Sequence, residues 1–401
     1  MKISDRLKQY FAKRKEKKGN YISFKESARI ARENRKITSA MEKQRNRKNI
    51  PEEEYVTTMR DQNNIVEFDN VHTYFYTSVG VVKAVNGVSF DVPKGKTVGI
   101  VGESGCGKSV TSLSLMQLVQ RPQGQTVEGE IRFNMGDKAY NIAKTPIDVM
   151  QNIRGNKMSM IFQEPMTSLN PVMRIGAQII EALELHTDND KEQNYKRCIE
   201  LLEMVGIANS EGVYKMYPHE LSGGMRQRVM IAIALACDPS LIIADEPTTA
   251  LDVTIQAQIL DLLRNIKNKT NSSIMLITHD LGVIAEMADY VVVMYSGRVI
   301  EQGSAQDIFA NPLHPYTIGL MKSKPVVGQK VDKLYNIPGS VPNPVNMPNY
   351  CYFKDRCSFR TEKCDGEYPC FIEVGKGHFV SCYRDFSLKE GQAFNGDDVN
   401  E

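Results

Sequence analysis

Residues 102–109 read GESGCGKS, and they directly follow the short apolar run VGIV at residues 98–101. Glycines at this spacing, ending in a Lys-Ser pair, are typical of a phosphate-binding loop when a strand precedes them and a helix follows. The apolar run supplies the strand, and the residues after the loop have a helical pattern. The stretch therefore predicts an α/β fold of the P-loop NTPase class.

The residue types of this loop suit a nucleotide and its metal. Backbone N–H groups and a helix N-terminus are expected to surround the phosphates, with Lys108 reaching the β and γ phosphates and Ser109 ligating Mg²⁺. We read Cys106 as a small spacer, because phosphoryl transfer to water needs no thiol nucleophile. The loop residues predicted to line the nucleotide are Gly102, Glu103, Ser104, Gly105, Cys106, Gly107, Lys108, Ser109 and Val110.

A second nucleotide element is the sequence LIIADEP at residues 241–247, in which four apolar residues end in two carboxylates. A strand ending in this way at the edge of a sheet brings both carboxylates beside the phosphate loop. Asp245 is expected to bind Mg²⁺ and Glu246 to polarise the attacking water. Alone, such a strand end is equally compatible with a solvated sheet edge. Together with GESGCGKS it predicts a hydrolytic site.

The order of apolar runs indicates the layers around this site. Further short runs rich in Ile, Val and Met predict buried strands of a parallel sheet, at 158–162, 274–277 and 290–294. A helical stretch is predicted at about residues 172–236. Alternation around Ile65 to Val71 and Val85 to Val92, broken by Gly80, Gly87 and Pro93, predicts short antiparallel strands that open the globular domain.

Three further segments resemble the motifs of the ABC ATPases. LSGGMRQR at 221–228 resembles their signature motif, Gln163 in MIFQEP their Q-loop, Ala250-Leu251-Asp252 their D-loop, and His279 in LITHD their switch histidine. The resemblance implies an ABC ATPase core with an antiparallel β subdomain and a helical subdomain at about 164–236. It also implies catalytic roles for Glu246, His279 and Gln163, the last also near Mg²⁺.

In this family the signature motif of one subunit completes the ATP site of a second subunit. The resemblance therefore implies that Ser222, Gly223, Gly224 and Asp252 contact the nucleotide across a dimer. Small residues at a helix N-terminus allow a close approach to a γ-phosphate. Met225 stands where the commonest signature has Gln, which removes an expected side-chain contact.

The segment VHTYFY at 71–76 resembles the loop whose aromatic side chain stacks on adenine. Phe75 aligns best with that position. Tyr74 and Tyr76 remain open, and all three side chains are also compatible with a place in the core.

Three other segments resemble the importers of dipeptides, oligopeptides and nickel. They are FQEPMTSLNP (162–171), NPLHPYT (311–317) and IPGSVPNP (337–344). They serve only as family markers, since their residues explain no chemistry by themselves. The resemblance implies a heterodimer with a homologous ATPase, two transmembrane permease subunits and an extracytoplasmic receptor. It places the chain peripherally at the cytoplasmic side of the cell membrane. Oligopeptide uptake is the leading expectation, with dipeptides or nickel as alternatives.

Five of the eight cysteines lie between Cys351 and Cys382. In a reducing compartment such clustering favours metal or iron–sulfur ligation over disulfides, and spacing alone does not choose between a cluster and zinc. The resemblance favours a 4Fe-4S cluster on Cys351, Cys357, Cys364 and Cys382, with Cys370 as a spare thiol. Zinc and unligated thiols remain alternatives.

Charge and hydropathy divide the chain further. Residues 1–50 hold 17 of the 50 Lys and Arg residues but only 5 of the 48 Asp and Glu residues. This split indicates a basic arm on an acidic body, not a nucleic-acid binder. We expect the arm to be helical or disordered, with Ile3, Leu7, Tyr10 and Phe11 on one helical face, and its charge suits anionic lipid. A solvated tail is the equal alternative.

No apolar run is long enough for a membrane helix, and no secretory signal is apparent, so we expect an intracellular protein. We expect an N-terminal extension (1–60), an ATPase domain (61–310), a C-terminal oligopeptide-transporter module (311–388) and a disordered tail (389–401).

Two other classes of protein would account for parts of the sequence. The basic arm would also suit a non-transport ABC ATPase that acts on DNA or ribosomes. Such proteins commonly carry two ATPase units or an inserted coiled coil, and neither is visible in this sequence. A regulator built around the cysteines leaves the nucleotide motifs unexplained.

Overall fold

The computed structural model describes residues 22–47, 49–249, 252–323 and 335–386. Several predictions fall outside the described residues, namely the face of Ile3, Leu7, Tyr10 and Phe11, the pair Ala250-Leu251, and the tail from residue 389. Within the described part, no helix is long and apolar enough to span a membrane.

The described strands form two sheets. In chain order they are β1 (Val56–Thr57), β2 (Asn64–Thr77), β3 (Gly80–Pro93), β4 (Thr97–Val101), β5 (Gly124–Asn134), β6 (Ala139–Asn141), β7 (Met158–Ile161), β8 (Leu241–Asp245), β9 (Ser273–Ile277), β10 (Tyr290–Tyr295), β11 (Arg298–Ser304), β12 (Phe371–Gly375) and β13 (His378–Ser381).

The helices of the described part surround these sheets. They are α1 (Phe24–Arg45), α2 (Lys108–Leu115), α3 (Ile147–Ile153), α4 (Pro165–Ser168), α5 (Ile175–His186), α6 (Lys191–Met204), α7 (Ser210–Lys215), α8 (Gly223–Ala234), α9 (Val253–Thr270), α10 (Leu281–Met287), α11 (Ala305–Ala310) and α12 (Pro315–Lys322).

The larger sheet has the order β12-β13-β11-β10-β4-β9-β8-β7, and its strands from β10 to β7 run parallel. The strands β4, β7, β8 and β9 are buried throughout, because both faces of this sheet are covered. Alternate residues of β8 illustrate this: Ile242 packs in the apolar cluster of the helical side, and Ile243 in that of the antiparallel sheet. The five predicted parallel strands are confirmed.

The smaller sheet has the order β1-β6-β5-β2-β3 and is antiparallel. The prediction of short strands was wrong, because β2 and β3 are 14 residues each. Gly87 does not end a strand. It lies inside β3 with a φ of +78°, where the register shifts between Val71 and His72 on the opposite strand. A bulge that a glycine accommodates thus bends one continuous hairpin, where the sequence suggested a break.

The basic arm ends in a helix that docks on the smaller sheet. Ser23 begins α1 by accepting a hydrogen bond from the N–H of Glu26 at 3.2 Å. The Asn34 amide donates to the carbonyl of Thr77 at 2.7 Å, at the end of β2. Since β1 precedes residue 61 and pairs with β6, the sheet also begins before the predicted start of the ATPase domain.

The helical segment between β7 and β8 consists of α4 to α8, within the predicted range of about 164–236. Its α6 begins with a capping box formed by Asp190 and Gln193. The apolar faces of these helices pack together in one cluster with the helical side of the larger sheet.

The residues after 310 are joined to the larger sheet, although we expected a separate module. The reason is that β11, antiparallel to β10, pairs on its other side with β13. Glu301 on β11 is fully buried and fixes the chain that follows. Its carboxylate accepts the N–H groups of Leu313 (2.7 Å) and His314 (2.8 Å) and a ring N–H of His378 (2.9 Å). The domain boundaries stay predictions.

Candidate functional site

The phosphate loop lies between the carboxyl end of β4 and the start of α2, as the sequence predicts. Gly102 and Gly107 have φ values of +151° and +104°. A Cβ atom on Gly102 would stand 2.2 Å from the carbonyl oxygen of Met294, and one on Gly107 would stand 2.3 Å from that of Ala84. Both positions therefore require glycine, which brings the loop backbone against β10 and β3.

Lys108 closes this loop from inside. Its Nζ donates to the carbonyl oxygens of Gly102 at 2.8 Å and Glu103 at 3.1 Å, and the residue is buried. A bound phosphate would offer this ammonium a stronger, charged acceptor. Ser104 and Gly105 at the tip are exposed, and Val110 packs on the apolar cluster of the antiparallel sheet.

Cys106 is buried in the loop, and burial raises the pKa of its thiol. A thiol that stays protonated is a poor nucleophile. This agrees with the interpretation of Cys106 as a spacer.

The predicted Mg²⁺ ligands Ser109 and Asp245 meet across the site. The Ser109 hydroxyl donates to Oδ1 of Asp245 at 3.0 Å. Asp245 ends β8 and is 5% exposed, and burial raises its pKa to about 6. A hydroxyl and a carboxylate are the oxygen ligands that Mg²⁺ uses beside nucleotide phosphates.

The other two predicted catalytic residues, Gln163 and His279, both contact the carboxylate of Glu246. Gln163 Nε2 donates to one carboxylate oxygen at 3.1 Å, and His279 Nδ1 lies 3.2 Å from the other. The backbone of Glu246 has a φ of +47°, held by its N–H bond to the carbonyl of Ile277 at 2.8 Å. This left-handed turn directs the carboxylate away from the strand end, toward Gln163 and His279.

Thr249 was missed by sequence reasoning. Its hydroxyl donates to the Glu246 carboxylate at 2.8 Å. The only available signal was a hydroxyl residue three positions after the glutamate, which is too common to indicate a role.

Gln163 was expected near Mg²⁺ as well. Gln163 follows the end of β7, and its side-chain amide is bonded to Glu246. Ligation of the metal by Gln163 stays a prediction.

The signature segment presents an open helix N-terminus. Ser222 caps α8 by accepting from the N–H of Met225 at 3.3 Å, and Ser222 and Gly223 are both exposed. A Cβ atom on Gly223 would meet no atom within 4 Å, whereas Gly224 lies near Ile255. The end of this helix is thus accessible to a ligand held by another molecule.

The signature helix also contacts the chain directly after Glu246. The buried amide of Gln227 donates to the carbonyl of Pro247 at 2.7 Å, directly after Glu246. Farther along, Asp252 caps α9 by accepting from the N–H of Ile255 at 3.0 Å, and its side chain is exposed.

The candidate adenine-stacking residues lie together on β2 and are half-buried. The Tyr74 hydroxyl is already engaged, since it donates to Asn86 Oδ1 at 2.9 Å. Phe75 points to the opposite face of the strand from Tyr74 and Tyr76, toward Gly124 of β5. The choice of Phe75 stays a prediction.

The four predicted cluster ligands lie near one another. Burial raises the pKa of Cys351 to about 12 and that of Cys357 to about 11, and the neighbouring thiols of Cys364 and Cys382 add to both effects. Cys370 is exposed. Among the described residues, no group of three or more His, Cys, Asp or Glu side chains is arranged to hold a metal ion.

Comparison with known proteins places these features in context. A family model described as "ABC transporter" matches residues 85–249, and one described as "Oligopeptide/dipeptide transporter, C-terminal region" matches residues 300–364. The chain is 52% identical to the oligopeptide transport ATP-binding protein AppD of Bacillus subtilis, over 80% of this chain and 96% of the relative. It is 49% identical to the dipeptide transport ATP-binding protein DppD of Lactococcus lactis, over 80% and 90%.

Among solved structures, the chain resembles the dimeric ATP-binding cassette MJ0796 in a post-hydrolysis state bound to ADP and Pi. The TM-score is 0.53 at 27% sequence identity, and the match covers 60% of this chain and 98% of the cassette. The ABC cassette CbiO1 of Clostridium perfringens gives a TM-score of 0.52 at 25% identity, covering 62% and 92%.

The raised pKa of Asp245 predicts a pH-dependent metal site. At about pH 5.5 roughly a quarter of the carboxyls remain ionised, against nearly all at about pH 7.5. When the pH is lowered from about 7.5 to about 5.5, we expect the Kd for Mg·ADP of the wild-type chain to rise about fourfold more than that of Asp245→Asn. In the variant only the nucleotide itself titrates over this range. Isothermal titration calorimetry at both pH values measures this, and equal pH dependence in the two proteins contradicts it.

Proposed function

The chain belongs to the ABC transporter ATPases, and we propose on that premise that it binds and hydrolyses ATP to power the uptake of peptides through an importer. The observation that carries the proposal is the meeting of Gln163, His279 and Thr249 on the Glu246 carboxylate, next to the phosphate loop. The C-terminal region matched at 300–364 supports a peptide as the transported solute. Oligopeptides are the leading choice, since the AppD relative is named for them.

In the proposed mechanism, the loop residues 102–109 bind the ATP phosphates through backbone N–H groups, and Lys108 leaves its two carbonyl acceptors for the β and γ phosphates. Ser109 and Asp245, with Gln163 nearby, would hold Mg²⁺, which when bound would supply positive charge against the phosphates. Phe75 stacks on adenine from β2.

Glu246 then orients a water molecule for in-line attack on the γ-phosphorus. The new bond joins the water oxygen to phosphorus as the bond to the β-phosphate oxygen breaks, and the water proton passes to the Glu246 carboxylate. His279 is 64% exposed in its side chain while Glu246 is 16% exposed, so the histidine reaches into the open site. In this role His279 and Gln163 hold the carboxylate and contact the γ-phosphate.

A second ATPase subunit completes each site in this proposal. The exposed N-terminus at Ser222 and Gly223, together with exposed Asp252, suits contact with a nucleotide bound to a partner. The related cassette MJ0796 is described as dimeric with ADP and Pi, which supports this arrangement. We propose a heterodimer with a homologous ATPase, so the isolated subunit hydrolyses ATP poorly.

The dimer is proposed to act beneath two permease subunits at the cytoplasmic face of the membrane, supplied by an extracytoplasmic receptor. The helical segment after Gln163 is the expected contact with the permease. Val172 in this segment is 80% exposed, which leaves an apolar side chain open for a partner.

Replacing Glu246 tests the hydrolytic role. We expect Glu246→Gln to retain ATP binding but to lower kcat in the assembled transporter at least about a hundredfold, because the amide is a poor proton acceptor. The matched control is Glu192→Gln, whose carboxylate is exposed and forms a surface ion pair with Lys196. Near-normal turnover of Glu246→Gln contradicts the role of Glu246 in activating the water molecule.

The same proposal includes a structural 4Fe-4S cluster on Cys351, Cys357, Cys364 and Cys382. Buried thiols with raised pKa values stay protonated when no cation is bound, and iron would reverse this by stabilising the thiolates. Four thiols are the number that such a cluster requires, but among the described residues they are not arranged to hold a metal ion. Its role would be structural, because ATP hydrolysis moves no electrons.

Metal analysis of anaerobically purified protein tests this centre. We expect about four iron and four sulfide per chain in the wild type and in Cys370→Ser, and loss of both in Cys364→Ser. Stoichiometric zinc without sulfide refutes the cluster. Wild-type protein that contains neither iron nor zinc also refutes it.

We further propose that the basic arm contacts anionic lipid. Eight Lys and Arg residues but two acidic residues lie in residues 1–21. The helix α1 is docked on the ATPase through Asn34, so the segment before it is the part to test. Each basic residue near an anionic surface contributes on the order of 1 kcal/mol, screened by salt.

Deleting residues 2–21 is expected to lower binding to vesicles of mixed anionic and neutral lipid at least about tenfold at low salt. Binding to purely neutral vesicles should not change. Deletion of residues 389–401 is the control. Equal binding of the full chain and the chain lacking 2–21 removes the lipid contact from the proposal.

A further inference from the structure

The second residue of the phosphate loop is held by a residue from the far end of the chain. Arg356 forms a two-pronged ion pair with the Glu103 carboxylate, with Nη1 at 2.7 Å from Oε2 and Nη2 at 3.0 Å from Oε1. The Arg356 side chain is 6% exposed and that of Glu103 is 28% exposed. A paired geometry of this kind, shielded from water, is among the stronger polar contacts of proteins.

Arg356 is itself fixed in place. Its Nε donates to the carbonyl of Pro338 at 2.9 Å, and its guanidinium lies 5.8 Å from the ring centroids of Tyr295 and Phe353. The side chain therefore holds Glu103 from a rigid base, because its remaining donors are already bonded to the protein.

Tyr316 holds the backbone of the same loop residue. Its hydroxyl accepts a hydrogen bond from the N–H of Glu103 at 2.7 Å, and the side chain is fully buried. The ring packs 4.7 Å from that of Tyr295 and 5.6 Å from that of Phe353.

The turn that carries Tyr316 is equally well anchored. The N–H of Tyr316 donates to Nδ1 of His314 at 3.0 Å, and burial lowers the pKa of His314 to about 3, so the ring stays neutral and accepts. The Glu301 carboxylate accepts hydrogen bonds from the N–H groups of Leu313 and His314. The segment NPLHPYT, which in the sequence was only a family marker, thus ends in a contact with the phosphate loop.

We propose that Arg356 and Tyr316 are positioning residues that preorganise the phosphate loop for ATP through Glu103; this inference rests on the proposed function. Lys108 also ties the loop, through the carbonyls of Gly102 and Glu103, but it must release them to reach a phosphate. The contacts from Arg356 and Tyr316 do not involve Lys108 and remain during that exchange. A loop already held in its binding conformation loses less entropy when the nucleotide binds.

The inference predicts an effect on affinity rather than on the chemical step. An interaction made equally before and during reaction changes KM and leaves kcat at saturation. We expect Arg356→Met to raise the Kd for Mg·ADP in the full-length subunit about tenfold, and Tyr316→Phe about threefold. In the assembled transporter, KM for ATP should rise by similar factors while kcat changes less than about twofold.

Two matched controls lie in the same C-terminal region. Arg360→Met removes an exposed arginine paired with Asp365, and Tyr383→Phe removes a hydroxyl bonded to the carbonyl of Glu367. Neither contact involves the phosphate loop, so both variants should bind Mg·ADP as the wild type does. If the controls weaken binding as much as Arg356→Met and Tyr316→Phe, the effect is general destabilisation and the inference fails.

A double-mutant cycle separates action through Glu103 from other causes. Once Glu103 is replaced by Gln, Arg356→Met should add less than about twofold to the Kd, because its charged partner is gone. If Arg356→Met raises the Kd as much in the Glu103→Gln background as in the wild type, the inference is overturned. If Arg356→Met does not fold, the Kd and KM of Tyr316→Phe are compared with those of the wild type. Unchanged values then overturn the inference.

The outcome also distinguishes this inference from the proposed function. Wild-type protein that binds no Mg·ADP contradicts the proposed function. Wild-type protein that binds it, with Arg356→Met and Tyr316→Phe binding equally well, contradicts only the positioning role.

Discussion

The parallel alignment of four buried strands is the constraint on which the whole site depends. The strands β4, β7, β8 and β9 end along the same edge of the larger sheet, so the groups that follow them meet there. The phosphate loop follows β4, and Gln163 and Asp245 come at the ends of β7 and β8. The carboxylate of Glu246 is where these segments join, and its left-handed turn is held by a backbone bond to the end of β9. A shift of one strand along its neighbour would separate Ser109 from Asp245 and Gln163 from Glu246 together.

Much of this arrangement follows from local sequence pattern. The parallel strands were predictable because each is a short apolar run, and most of these runs are rich in Ile, Val and Met. The predicted meeting of Asp245 with Ser109 followed from the same reasoning. The strand β3 was mispredicted because Gly87 reads as a break, whereas its positive φ fits a bulge that only the partner strand reveals. The docking of α1 and the contact of Thr249 with Glu246 carry no local signal, since each depends on a neighbour distant in sequence or on a common residue type.

The C-terminal residues were the least predictable part. Their proline and cysteine content suggested a separate unit, yet the edge of the larger sheet receives β13, and the fully buried Glu301 organises the turn at His314. A buried carboxylate is costly unless its oxygens are fully bonded, and three N–H groups achieve this here. The family markers after residue 310 thus have a physical explanation that no pattern of apolar residues contains: they shape a surface that reaches back to the nucleotide loop.

The pairing of Glu103 with Arg356 has a consequence for how the protein is made. The two residues are 253 positions apart in the chain. A ribosome therefore completes the strand, the glycine loop and both carboxylates long before the arginine emerges, and until then the loop lacks one of its two anchors. Closing so long a segment is entropically expensive and depends on the intervening sheet being folded first. Under the proposed positioning role, full affinity for nucleotide is reached only when nearly the whole chain has been synthesised.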